Sequence, residues 1–145
     1  MEASNNLSEI RVTAEAENRG ETYETLVTSG GHSFIADELP ELGGKDLGPD
    51  PFGYLCGALA SCTAITLRMY VGRKGWDLSV IRVRVDLQKD ADPATGNSLF
   101  HTVVTYSGQL TDEQEARLLY IARACPVHRL LSHASSISTL IEKSS

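Results

Sequence analysis

Alternating apolar and polar positions predict several β-strands along this chain. A strand with one buried face repeats with a period of two, and within residues 78–88 that pattern is regular from residue 81 to residue 88. The turn sequences Ser-Gly-Gly at residues 29–31 and Asp-Pro-Ala-Thr-Gly-Asn at residues 92–97 favour hairpins between the strands that flank them. The predicted strands are residues 8–17, 22–28, 32–37, 78–88, 99–107 and 135–141.

A pattern of longer period predicts a long helix that begins at Pro51. Asp50 precedes it as the N-cap, and Pro51 suits the first helical position because its missing N–H is not needed there. Apolar residues continue at helical spacing to residues 72–75, and residues 51–67 carry no charge on any face. A helix that is apolar all round is typical of a buried helix. Residues 37–51 before it are rich in glycine and proline and predict a long loop, which is often functional.

A second helix is predicted after residue 111. Thr111 should cap it through a capping box with Gln114, and Pro126 should end it after Cys125. Antiparallel hairpins and two helices, without regular alternation of strand and helix, predict an α+β fold. The charge-free helix needs more cover than one small sheet provides, so we expect a homodimer formed around it.

Composition and charge narrow the class of protein. Fractions of 41% hydrophobic and 22% charged residues are typical of a globular domain, and we expect one domain over residues 1–145 with residues 1–7 flexible. A net charge of −6 argues against nucleic acid or an anionic membrane as the main partner. The first residues show no signal-peptide pattern, and polar residues dilute the apolar stretch of the long helix, so we expect a cytoplasmic protein with no membrane partner.

The three cysteines are the candidate chemistry. They are too few, and odd in number, for a disulfide scaffold. Cys62 lies midway along the long helix, and Cys125 lies in a Cys-Pro-Val-His sequence at the end of the second helix. Free cysteines are often small buried apolar residues, and sequence spacing does not show whether these two meet. Cys56 points to a helix face about 120° from that of Cys62, so we interpret it as core packing.

Zinc binding is an alternative use of the same side chains. Cys62, Cys125 and His128, with His133 or Cys56, would supply nitrogen and sulfur ligands. The chain lacks the paired Cys-x2-Cys spacing of a structural zinc site, so we expect no metal and no other cofactor.

Several longer stretches match a known family. The chain resembles the OsmC/Ohr family of osmotically inducible and organic hydroperoxide resistance proteins over residues 20–141, and it is most similar to OsmC-like domains whose second motif is Cys-Pro-Val-His. The matching stretches are Asp37-Glu38, Gly43-Gly44, GPDPFGYLCGALASCTAITLRMY (48–70), Lys74-Gly75-Trp76 and GQLTDEQEARLLYIARACPVHRLL (108–131).

The resemblance implies an intertwined homodimer in which antiparallel sheets wrap around long central helices. It also implies a peroxiredoxin-like organic hydroperoxide reductase, with Cys62 as the thiol that attacks the peroxide and Cys125 as the thiol that resolves it in a disulfide. Arg19 would be the cation that activates Cys62, and an external dithiol, of lipoyl type or a small thiol, would reduce the disulfide. Phe52, Tyr54, Leu55 and His128 would bind the organic part of the hydroperoxide.

The chain departs from the family pattern at the start of the long helix. The family has a glutamate beside the helix-start proline that holds the arginine, whereas Phe52 follows Pro51 here. Asp50, Glu38 or Glu41 could replace it, and Arg129 is a second candidate cation. This difference supports an alternative function, in which an OsmC-like protein with weak or no peroxidase activity binds a small apolar ligand or senses redox state.

Overall fold

The computed structural model describes residues 11–20, 22–90, 92, 94 and 96–144. The expected flexibility of residues 1–7, the first part of the predicted strand at 8–17 and part of the turn at 92–97 lie outside the described residues. The chain divides into two compact units, one ending at Tyr54 and one beginning at Leu55. The single domain over residues 1–145 stays a prediction.

The first unit is built on a three-stranded antiparallel sheet. Its strands β1 (Ala14–Glu17), β2 (Thr25–Ser29) and β3 (His32–Ala36) lie in the order β1-β2-β3. Gly30 and Gly31 form the predicted hairpin turn with positive φ values of 59° and 78°, which match the twist of the flanking strands. Within the described residues β1 begins at Ala14, which pairs with Ser29, the last residue of β2, and residues 11–13 have no ladder partner there.

Asp37 organises the predicted loop that follows β3. Its side chain is 2% exposed, and its carboxylate accepts hydrogen bonds from the backbone N–H groups of Glu38 at 2.8 Å and Leu47 at 3.2 Å. Burial raises the pKa of Asp37, but these N–H groups and Lys45 outweigh it, so the pKa is lowered. The loop also contains a 3₁₀ turn at Pro40–Leu42. It is therefore an ordered segment tied to one buried carboxylate.

We expect Asp37→Asn to lower the unfolding midpoint by several degrees at neutral pH, since the amide replaces one accepting oxygen with a donor. The folded pKa lies below the ordinary value of 3.8, so the carboxylate stabilises the fold above that pH and loses this effect as the pH falls through the folded value. Thermal unfolding of both proteins between neutral and acid pH measures this difference, which should shrink on acidification.

Asp46→Asn is the matched control for this prediction. It makes the same charge change in the same loop, at a residue with a φ of 54°, and asparagine tolerates that left-handed conformation well. Equal midpoints for Asp37→Asn and wild type at neutral pH would contradict the anchoring role of Asp37.

The long helix α1 (Pro51–Lys74) buries one stripe of side chains. Its buried residues are Leu59, Thr63, Leu67, Tyr70 and Val71, which recur at the three- to four-residue spacing of one helix face. Ile65 and Met69 remain 55% and 64% exposed. The single chain therefore leaves part of α1 uncovered, and burial of the remaining faces in a homodimer stays a prediction. By length and composition alone α1 could also cross a membrane, a test that core helices of soluble proteins pass as well.

The second unit packs the rest of α1 with a hairpin and two further helices. β4 (Leu78–Gln88) and β5 (Leu99–Gly108) form a two-stranded antiparallel sheet, followed by α2 (Asp112–Arg123) and α3 (Pro126–Leu131). Thr111 and Gln114 form the predicted capping box. The predicted α+β class is confirmed. The core of this unit contains Leu67, Tyr70, Val71, Leu78, Leu118 and Ala122.

The C-terminal part of the chain differs from the prediction in two places. Pro126 ends α2 as expected, but it also takes the first position of α3, where its fixed φ suits a helix. Residues 135–141 do not form the predicted strand, and Ile137 and Ile141 are 90% and 95% exposed. A strand needs a ladder partner, and among the described strands β5 pairs only with β4.

Candidate active site

Two free thiols meet where the end of α2 packs against α1. Cys62 is half-buried on α1, and Cys125 is fully buried between α2 and α3. The backbone N–H of Cys125 donates to the carbonyl of Ala122 at 3.3 Å, and the chain then turns into α3 at Pro126. This turn brings the Cys125 sulfur within hydrogen-bonding reach of the Cys62 sulfur.

The surroundings of the two thiols favour ionisation of Cys125 over ionisation of Cys62. Burial and the hydrogen bond to Cys125 raise the pKa of Cys62. Burial also raises the pKa of Cys125, but hydrogen bonds from the Cys62 thiol and from the backbone N–H groups of His128 and Val127, together with the contact to the Thr63 hydroxyl, outweigh it, so that pKa is lowered. The thiols can therefore share one proton, with the Cys62 S–H donating to the Cys125 thiolate.

Two threonines of α1 complete the surroundings of the thiols. Thr63 is 2% exposed, and its hydroxyl donates to the carbonyl of Leu59 at 2.8 Å while lying next to Cys125. Thr66 lies one helical turn after Cys62 and hydrogen-bonds to its sulfur. Sequence reasoning missed both, although a spacing of four residues from Cys62 already places Thr66 beside it on the helix.

Arg19 lies in the first unit with an acidic partner that the sequence did not suggest. Its guanidinium is exposed and lies 2.6 Å from the carboxylate of Glu17. Asp50, one of the three carboxylates considered as replacements for the missing glutamate, instead accepts a backbone N–H at the start of α1 at 3.0 Å. The activating role of Arg19 stays a prediction.

The four predicted substrate-binding residues divide between the two units. Phe52 and Tyr54 lie in the first unit; Phe52 is exposed, and the Tyr54 ring packs against Phe34 with ring centres 4.9 Å apart. The Tyr54 hydroxyl donates to the Ile35 carbonyl of β3. In the second unit Leu55 is exposed on α1, and His128 is half-buried on α3. Their role in substrate binding is not tested by these positions.

A cavity of about 900 Å³ lies in the second unit among α1, β5, α2 and α3. Its lining includes Thr63 and His128, which both contact Cys125. At another part of its wall the Tyr106 hydroxyl donates to the Glu115 carboxylate at 2.6 Å. The cavity is mostly apolar, with lining side chains Leu59, Leu99, Phe100, Val104, Leu118, Leu119, Ala122 and Leu131. It can hold the organic part of a small molecule close to Cys125.

The zinc alternative finds no ligand set in the part of the chain that the structure describes. Among those residues, no three His, Cys, Asp or Glu side chains lie close enough together to hold a metal ion. His133, one of the proposed ligands, is hydrogen-bonded to the backbone carbonyl of Arg129 at 2.7 Å.

Comparison with known proteins identifies the family. A family model described as OsmC-like protein matches residues 43–139. The chain belongs to the OsmC-like family. The predicted resemblance is confirmed, and so is the predicted OsmC-like architecture of antiparallel sheets with a long central helix. A comparison with curated protein sequences gives no match.

Solved structures with the OsmC-like fold include proteins from several bacteria. An OsmC-like protein from Mycoplasma pneumoniae is 18% identical over 86% of this chain and 89% of its own, with a TM-score of 0.67. An organic hydroperoxide resistance protein from Legionella pneumophila is 19% identical over 84% of this chain and 89% of its own, with a TM-score of 0.59. Another from Elizabethkingia anophelis is 15% identical over 86% of this chain and 89% of its own, with a TM-score of 0.64. At such identities the likeness shows the fold alone.

Proposed function

We propose that this protein is a thiol-dependent peroxidase that reduces organic hydroperoxides in the cytoplasm and protects against oxidative stress. The observation that carries the proposal is the pair of free thiols, Cys62 half-buried and Cys125 buried, within hydrogen-bonding reach of each other. The names of the Legionella pneumophila and Elizabethkingia anophelis proteins support organic hydroperoxides as the substrate class.

In the first step the Cys62 thiolate attacks the distal oxygen of the hydroperoxide. The S–O bond forms, the O–O bond breaks, and the leaving alkoxide takes a proton to become an alcohol, so that Cys62 is oxidised to a sulfenic acid. Cys125 supports this step because the shared proton can move from the Cys62 sulfur to the Cys125 sulfur. Cys125 is then the base that makes Cys62 nucleophilic, and Arg19 is proposed to stabilise the resulting charge.

In the second step Cys125 attacks the sulfur of the Cys62 sulfenic acid. The S–S bond forms, the S–O bond breaks, and the hydroxide leaves as water after taking a proton. An external dithiol, of lipoyl type or a small thiol, then supplies the two electrons that return both cysteines to thiols by thiol–disulfide exchange. The two sulfurs are already within hydrogen-bonding reach of each other, which favours a disulfide between them.

The organic part of the substrate is proposed to contact Phe52, Tyr54, Leu55 and His128. Aromatic and aliphatic side chains favour a bulky organic hydroperoxide over hydrogen peroxide, because burying apolar surface contributes roughly 25 cal/mol per Å². The exposed apolar side chains Ile65 and Met69 on α1 support the proposed homodimer, because a second copy could cover them.

The test combines a turnover assay with a search for the disulfide. With dihydrolipoamide as reductant, we expect the protein to consume cumene hydroperoxide and tert-butyl hydroperoxide faster than hydrogen peroxide. Mass spectrometry after one equivalent of hydroperoxide should find the Cys62 and Cys125 peptides linked. The peroxidase assignment would be refuted if the protein showed no dithiol-dependent consumption of hydroperoxide and no linked peptides.

A second candidate function is an OsmC-like protein with weak or no peroxidase activity that binds a small apolar ligand or senses redox state. The mostly apolar cavity of about 900 Å³ beside the thiols and the raised pKa of Cys62, caused first by burial, favour it. The same experiment distinguishes the two. A disulfide that forms without dithiol-dependent turnover indicates a sensor, and no reaction with any hydroperoxide leaves ligand binding as the function.

A further inference from the structure

The Thr63 hydroxyl lies between a helix carbonyl and the Cys125 sulfur. It donates its proton to the Leu59 carbonyl at 2.8 Å and is in hydrogen-bonding contact with Cys125. A hydroxyl has one proton and two acceptor lone pairs, so in this orientation it can accept from a Cys125 thiol but cannot donate to a Cys125 thiolate. Stabilising the thiolate requires the hydroxyl to rotate.

That rotation leaves no buried group without a partner. The Leu59 carbonyl is four residues before Thr63 in α1, so it keeps the backbone N–H of Thr63 as a donor when the hydroxyl turns away. Cys125 has no exposed surface, so its charge depends on protein donors rather than water. Those donors are the Cys62 thiol, the backbone N–H groups of Val127 and His128, and the Thr63 hydroxyl.

Oxidation of Cys62 changes this set of donors. Once Cys62 is a sulfenic acid, its S–H is gone and its sulfur is the atom under attack. Thr63 is then the side-chain donor that faces Cys125 without taking part in the reaction. Thr66 has the corresponding position for the other thiol, because its hydroxyl hydrogen-bonds to Cys62 from one turn along α1.

We propose that Thr63 and Thr66 are positioning residues for separate steps of the thiol cycle, with Thr66 holding Cys62 as the thiolate that attacks the hydroperoxide and Thr63 holding Cys125 as the thiolate that attacks the sulfenic acid. The inference rests on the proposed function. In the step that Thr63 serves, Cys125 supplies the electron pair for the S–S bond, and the S–O bond of Cys62 breaks to release hydroxide.

The kinetic test separates the two steps in stopped-flow reactions without reductant, in a Cys56→Ser background. We expect Thr63→Val to slow disulfide formation about tenfold or more while sulfenic acid formation changes by less than about twofold, because a hydrogen bond to a charged group is lost in one step only. Thr66→Val should do the reverse. Thr63→Ser and Thr66→Ser keep the hydroxyl and should recover most of the rate. Equal slowing of both steps by both valine variants, or no recovery with serine, would overturn the proposal.

A titration without peroxide keeps this inference separate from the proposed function. The ultraviolet absorbance of the thiolate is followed against pH with only Cys125 present (Cys56→Ser, Cys62→Ser) or only Cys62 present (Cys56→Ser, Cys125→Ser). Thr63→Val should raise the midpoint of Cys125, and Thr66→Val that of Cys62. Shifted midpoints in a protein that consumes no hydroperoxide would support the threonine assignment and refute the peroxidase. Unshifted midpoints in a protein that does consume hydroperoxide would refute the threonine assignment and support the peroxidase.

A measurement on the unmodified side chain covers the case in which a Thr63 variant fails to fold, as circular dichroism would show. The buried Thr63 hydroxyl proton should be observable by NMR in the wild-type protein. Its through-space contacts should move from the Leu59 side toward the Cys125 β-protons as the thiolate forms. Contacts that stay on the Leu59 side throughout the titration would overturn the proposal.

Discussion

Replacing Cys62 with serine is expected to abolish dithiol-dependent consumption of organic hydroperoxides, with a loss of about a thousandfold or more, as is usual when a nucleophile is removed. A serine hydroxyl does not ionise near neutral pH and cannot form the disulfide. Cys125→Ser should still react once and then stop, because the sulfenic acid on Cys62 lacks its nearby partner. A dimedone-type label should therefore accumulate on Cys62 in Cys125→Ser and be absent in Cys62→Ser.

Cys56→Ser is the control for this pair of variants. Cys56 is half-buried on the same helix, and it is not among the groups that shift the pKa of either Cys62 or Cys125. Its replacement should leave turnover close to that of wild type. A sulfenic acid label that appears on Cys125 instead would reverse the two roles. This outcome has a physical basis, since the hydrogen bonds at the site favour the thiolate on Cys125.

Local patterns were the part of the structure that could be predicted from the sequence. The hairpin through Gly30 and Gly31 and the capping box of Thr111 and Gln114 depend on residues within a few positions of each other. α3 was missed because Pro126 was interpreted only as the end of one helix, whereas its fixed φ also favours the start of the next.

The pairing of the two thiols could not be derived from spacing. Whether Cys62 and Cys125 meet depends on how the end of α2 turns against α1, which is a property of packing and not of local sequence. The sequence contained even less information about which of the two thiols ionises more easily. Sequence reasoning looked for a distant cation beside Cys62, while the described surroundings consist of neutral donors, a second thiol and backbone N–H groups.

The exposed side of α1 bears on the proposed homodimer. The sequence predicted cover on every face, and the single chain covers only the stripe that includes Thr63 and Leu67. Apolar side chains such as Ile65 and Met69 then remain in contact with water, which is unfavourable in proportion to their area. The pattern of α1 therefore supports the proposed homodimer.

Gly48→Ala is expected to cause a large loss of stability in the first unit. A Cβ at residue 48 would lie 2.0 Å from the carbonyl oxygen of Ile35 and 2.8 Å from its carbonyl carbon. Backbone atoms cannot yield as a flexible side chain does, so the loop or β3 must shift. The same Ile35 carbonyl accepts the hydrogen bond from Tyr54, so the shift would also disturb the first turn of α1. We expect a loss of about 2 kcal/mol or more in the free energy of unfolding, measured by denaturant titration.

Gly72→Ala adds the same methyl group where nothing lies within 4 Å. Gly72 is an exposed residue within α1, so alanine there should stabilise the protein by roughly 0.5–1 kcal/mol through its better helix propensity. The opposite signs of the two changes separate a steric effect from a general effect of adding a methyl group. Equal stability of Gly48→Ala and wild type would show that the loop tolerates a shift from Ile35. If the loop does not tolerate it, the KM for a bulky hydroperoxide should rise with the loss of stability, because Phe52 and Tyr54 lie in the first turn of α1, which directly follows this loop.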